Sequence, residues 1–174
     1  MRTSLDPHFE GVYKPDALAN DLTTRVAARV KSGIFPGASP ARNRYEVLEL
    51  TSDSMRFRSI GLLAGINVGL NDVRLQVDRA SNSVRYTVEY WTWASYGLYL
   101  CLAIALVAGI GLLTPLAGVY LFPKDTYPST AALKFGIFPM VIFWGLIWPW
   151  ILILMHKAPA ARCLTRILDE VNGK

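Results

Sequence analysis

Two long uncharged apolar runs set the tightest limit on what this chain of 174 residues can fold into. One lies between Glu89 and Lys124, the other between Lys134 and Lys157. A hydrocarbon core about 30 Å thick takes about 20 apolar residues of helix to cross, and both runs supply that. They predict a transmembrane hairpin over 95–156, with helices at about 96–121 and 134–155. The connecting residues 123–130 are few and polar, so the two helices should be antiparallel neighbours.

Basic residues give the expected orientation. Lys124 and Lys134 flank the connection, while the whole N-terminal half and the tail cluster of Lys157, Arg162, Arg166 and Lys174 lie on the other side. Positive-inside bias then places both termini in the cytoplasm. Residues 1–8 lack the apolar core of a secretory signal, and no Asn-X-Ser/Thr acceptor occurs. The expected location is therefore a bacterial-type inner membrane, crossed twice. Trp91, Trp93 and Tyr96 on the first run, and Trp148, Trp150 and Lys157 on the second, are the expected membrane-interface residues, since such side chains favour the headgroup level.

The N-terminal half, 1–94, reads as a small cytoplasmic α+β domain. Residues up to about Pro15 are polar and irregular. From Asp16 to Ile34 the apolar residues Leu18, Leu22, Val26 and Val30 recur every four positions, as on a helix with one buried stripe. Arg25, Arg29 and Lys31 complement the dipole at its C-terminal end, and Gly33 and Pro36 stop it. The period then becomes two. Residues 45–51, 55–59, 73–78 and 84–90 alternate as strands between polar turns, which predicts an antiparallel sheet of about four strands covered by the helix. Residues 60–70 are apolar, glycine-punctuated and too short to span a bilayer. They are expected as a buried strand; the competing reading is a loop that dips into lipid or forms the mouth of an apolar pocket.

The tail, 157–174, carries Leu164, Ile167, Leu168 and Val171 on one helical face. This amphipathic helix is expected to dock on the soluble domain, because Asp169 and Glu170 dilute its attraction to anionic lipid.

The residues that do chemistry are sparse. His8 and His156 belong to no cluster with metal-ligand or catalytic spacing, and the sequence holds no nucleotide-binding, zinc-protease or serine-hydrolase signature. His156 is weighed as an axial ligand for a macrocyclic pigment, but an interfacial histidine beside Lys157 is better read as a headgroup residue. Cys101 and Cys163 should lie too far apart for a disulfide. No catalytic residue, metal or cofactor is expected. Ala105 and Gly109 are four apart and form a small-residue face that lets a second helix approach closely. Neither predicted helix carries an ionisable side chain in its interior, which argues against a transport pathway.

The formal net charge of +5 raises nucleic acid as a partner. Residues 1–89, however, hold twelve of the eighteen Lys/Arg and ten of the thirteen Asp/Glu, and no basic stripe interleaved with aromatics occurs. Nucleic-acid binding is excluded on that basis; the expected partners are membrane lipids and other membrane subunits. The functional expectation is a non-enzymatic accessory or scaffold subunit of a larger membrane complex. The alternative is a membrane-anchored binding module for a lipid or other apolar small molecule.

Overall fold

Alternating apolar side chains do build an antiparallel sheet, with one strand more than the sequence pattern predicts. The computed structural model describes residues 7–35, 38–39, 43–113 and 138–173. The strands are β1 (His8–Tyr13), β2 (Tyr45–Leu50), β3 (Ser54–Ser59), β4 (Asp72–Asp78) and β5 (Ser83–Glu89). They lie in the order β1-β5-β4-β3-β2, with every neighbour antiparallel. The unpredicted strand is β1, at an edge. Its register places Gly11 opposite Tyr86, and a Cβ at Gly11 would come within 2.3 Å of the Tyr86 ring. The glycine that breaks the apolar alternation is thus the place where a cross-strand aromatic ring lies over the backbone.

The register aligns the buried rows. Met55 pairs with Leu75, and Leu75 with Tyr86; Phe57 pairs with Val73, Val73 with Val88, and Val88 with Phe9. Two helices cover this face. The first, α1 (Leu22–Lys31), buries Leu22, Val26 and Val30 at the predicted spacing, over a shorter length than expected. Its Thr23 hydroxyl donates to the Thr51 carbonyl at 2.8 Å, tying the helix to the β2–β3 turn.

The second covering helix is the chain's last. Residues from Phe138 onward form α4 (Phe138–Ile142), a single π turn (Phe143–Ile147) and α5 (Trp148–Asn172). The widened turn sits where Pro149 lacks the N–H that would bond the Gly145 carbonyl and where its ring would crowd that carbonyl. The expected separate tail helix is instead the end of α5, which continues through Pro159. Leu164, Ile167, Leu168 and Val171 are buried in the sheet's core, so the tail does dock on the domain. Tyr13 Oη donates to Asp169 Oδ1 at 2.6 Å, and Asn172 bonds the backbone of Ala17 and Ala19.

Residues 60–70 are neither a strand nor a loop. They form α2 (Leu62–Val68), bounded by Gly61 and Gly69 at positive φ. A glycine in the left-handed conformation is a common helix stop, and Gly69 serves as one here.

The first apolar run forms α3 (Trp91–Leu113). By length and composition, one helical stretch among the described residues is long and apolar enough to cross a membrane, Pro139–Asn172; the apolar stretch Trp91–Val107 is shorter. Of the predicted pair of spans, one is met among the described residues. Helix α3 starts at Trp91 rather than near residue 96. Residues 114–137, with the predicted connection and Lys124 and Lys134, lie outside the described residues. The chain divides into two compact units, Met1–Ala94 with Leu154–Lys174, and Ser95–Ile153.

One buried group is poorly served. Tyr45 Oη has no hydrogen-bond partner among the described residues, and burial, followed by the neighbouring Cys163 thiol, pushes its pKa well above the ordinary 10. Tyr45→Phe should raise stability by about 1 kcal/mol, the usual gain when an unpaired buried polar atom is removed. The sign of the pH dependence follows from the raised folded-state pKa. The phenol's contribution is complete below about pH 10 and is lost as pH rises above it, because the unfolded chain ionises first. Urea midpoints at pH 7 and pH 10.5 should show a shallower alkaline loss for the Phe variant. An unchanged or lower midpoint at pH 7 would contradict the assignment.

Candidate functional site

The residues that join the apolar helices to the sheet form a polar and aromatic cluster within the sheet unit. Asn71 is at its centre, just before β4. The side chain is buried and fully used: Oδ1 accepts from the backbone N–H of Thr92 at 2.9 Å and of Trp93 at 3.3 Å, while Nδ2 donates to the Gly65 carbonyl at 2.9 Å. The first N–H groups of any helix have no partner within the helix. Asn71 supplies one to α3 from 21 positions away, and the same amide holds α2. Its own backbone bonds Glu89 and Ser59, fixing it between β5 and β3.

Glycines let the elements close up around this amide. A Cβ at Gly65 would lie 2.8 Å from Thr92 Cγ2 and 2.9 Å from Asn71 Nδ2. At Gly69, a Cβ would lie 2.3 Å from Nε2 of His156. The His156 ring stacks on Trp93, with centroids 4.0 Å apart and planes 16° from parallel, and meets Tyr90 at 5.8 Å. Tyr90 in turn contacts Phe9 at 6.1 Å, and Phe9 contacts Tyr86 at 6.3 Å. A continuous line of rings thus runs from the sheet's core to His156.

The expected interface residues divide by environment. Trp91, Tyr96 and Trp150 are exposed; Trp93, Trp148 and Lys157 are half-buried. Trp148 packs against Trp144 at 4.9 Å, and Trp93 against His156. Of the two small residues, Ala105 has a close neighbour: a Cβ on Gly145 would come within 2.6 Å of the Ala105 Cβ, whereas one on Gly109 would meet open space among the described residues. The first and second apolar runs therefore touch through Ala105 and Gly145.

Several of the charged side chains are committed to pairing. Arg56 grips Asp72 through Nε and Nη2 at 2.6–3.2 Å; Glu46 pairs with Arg58, and Glu170 with Arg29 and Arg166. The Arg79 guanidinium and then the Ser52 hydroxyl hold the Asp53 carboxyl below the ordinary carboxylate range. Those partners favour the charged form of Asp53, the reverse of what a general acid needs. Both cysteines are free, and burial pushes the half-buried Cys163 thiol up to about 11. Among the described residues no three His, Cys, Asp or Glu side chains gather as metal donors.

Sequence reasoning reads Asn71 as a turn and gives Gly69 no partner. The glycine punctuation of residues 61–69 is the visible signal, and it marks helix ends and close approaches rather than a strand. Comparison with protein-family models, with curated proteins and with solved structures gives no match.

Proposed function

We propose that this chain is a non-enzymatic accessory or scaffold subunit of a larger membrane complex, which presents a small α+β domain at the cytoplasmic face of a bacterial-type inner membrane. One observation carries the reading. The helical stretch long and apolar enough to cross a membrane, Pro139–Asn172, ends as the segment whose Leu164, Ile167 and Leu168 complete the sheet's core. A domain whose core includes the end of its own anchor is built to work at the membrane surface. The contact of Ala105 with Gly145 supports a two-pass arrangement with both termini on one side. The paired carboxylates support a binding role over acid–base chemistry.

The lipid-binding alternative has less support. A helix on a curved sheet can enclose a pocket, but here α1 and α5 fill that face with side chains. Two surface clefts among the described residues have charged linings, one with Asp53, Asp78, Arg79 and Arg85 and another with Lys31 and Arg44.

Extraction of native membranes in mild detergent tests the proposal. The protein should migrate in a species well above its own mass of 19.3 kDa plus detergent, together with other membrane proteins. Migration as a clean monomer would overturn it.

A further inference from the structure

We propose that α2 is a lipid-contacting foot of the sheet domain, with Leu62 and Leu63 seated among acyl chains at the headgroup boundary of the same bilayer; this rests on the membrane-anchor reading. No residue of 60–70 is charged, and a helix of seven residues is too short to be stable on its own in water. It persists here because positive-φ glycines bound it and Asn71 holds its Gly65 carbonyl. The structure thus spends a buried amide and three glycines on holding a two-turn apolar helix in place.

That helix buries only part of itself. Ala64 is wholly buried, yet the adjacent Leu62 and Leu63 are 54% and 47% exposed. Its neighbours decide what covers them. Gly65 abuts Thr92, the second residue of α3, and Gly69 abuts His156, which closes the uncharged run of α5. Several apolar residues beside those two contacts are also open, Trp91 at 56% exposed, Leu154 at 41% and Met155 at 63%, while Trp93 and Lys157 are half-buried. Exposed apolar side chains on a helix that abuts the start of α3 and the end of the uncharged run of α5 call for lipid as their partner. Leu62 and Leu63 then give the domain a contact besides its helices, and restrict its rotation about them.

The test uses the full chain with Cys101→Ala and Cys163→Ala, a single cysteine introduced by Leu62→Cys or Leu63→Cys, and an environment-sensitive fluorophore on it. The protein is reconstituted in phosphatidylethanolamine–phosphatidylglycerol vesicles, with and without lipid bearing a nitroxide high on its acyl chain. Leu48→Cys, on the outward face of β2, gives the aqueous baseline, and Ile104→Cys, in α3, reports the anchor. Quenching at 62 and 63 should exceed that at 48 several-fold and approach that at 104. Quenching at 104 without it at 62 and 63 would overturn the foot and leave the anchor standing. Quenching at 62 and 63 without it at 104 would support the foot and overturn the anchor. A blue shift at 62 with no quenching by the lipid would assign the face to a protein partner and overturn the inference.

Discussion

A chain ended after Ala158 should lose the whole N-terminal fold, not only its tail. The deleted residues include Ala160, Leu164, Ile167, Leu168 and Val171, all buried in the same core as Phe57, Val73 and Val88. Replacing one buried Leu or Ile by Ala usually costs about 2–5 kcal/mol. Losing several at once matches or exceeds the roughly 5–15 kcal/mol that holds a typical domain together. The bonds from Tyr13 to Asp169 and from Asn172 to Ala17 and Ala19 would vanish as well. Limited proteolysis in detergent should convert a resistant N-terminal unit into short fragments, and Leu168→Ala alone should lower stability by about 2–5 kcal/mol. A truncated chain that kept its resistant unit would show that α1 and the sheet suffice, and would remove the support that the core gives to the proposed link between anchor and domain.

The same helix shows how far the sequence could be read. The face made by Leu164, Ile167, Leu168 and Val171 is visible as a helical repeat, and docking follows from it. Continuity with the apolar run is not visible. Pro159 removes one backbone bond and argues locally for a break; burial of the turns that follow it outweighs that local cost. Strand β1 is hidden for a related reason, since Gly11 interrupts the alternation because of a ring 75 positions away. The strands β2 to β5 and the stripe of α1 depend on local period alone, and these were legible. The junction was not. The aromatic residues Trp91 and Trp93 stand out as interface residues, but the stacking of Trp93 on His156 and the reach of Asn71 to Thr92 depend on which elements the fold brings together, and spacing along the chain carries no trace of that.

Asn71→Ala should be the most damaging single polar substitution in the domain. It leaves the N–H groups of Thr92 and Trp93 and the carbonyl of Gly65 without the partner each now has. A buried polar group left unpaired costs about 1–3 kcal/mol, and loss of an asparagine helix cap about 0.5–2 kcal/mol. A total on the order of 3 kcal/mol is expected, together with faster amide exchange at Thr92 and Trp93. Asn71→Asp separates the two halves of the clamp. Its carboxylate still accepts from both N–H groups and adds a favourable charge at a helix N-terminus, worth about 0.3–1 kcal/mol. It has no donor for Gly65, and it sets two acceptors against each other there. Slow exchange at Thr92 and Trp93 should therefore survive in the Asp variant while α2 loosens, with a loss of stability between those of Ala and wild type. Equal losses for Asp and Ala would place the energetic role of Asn71 in holding α2 rather than in capping α3. A stability unchanged by Ala would mean that water replaces the amide at no cost, and that the junction is held by the packing of Gly65 and Gly69 alone.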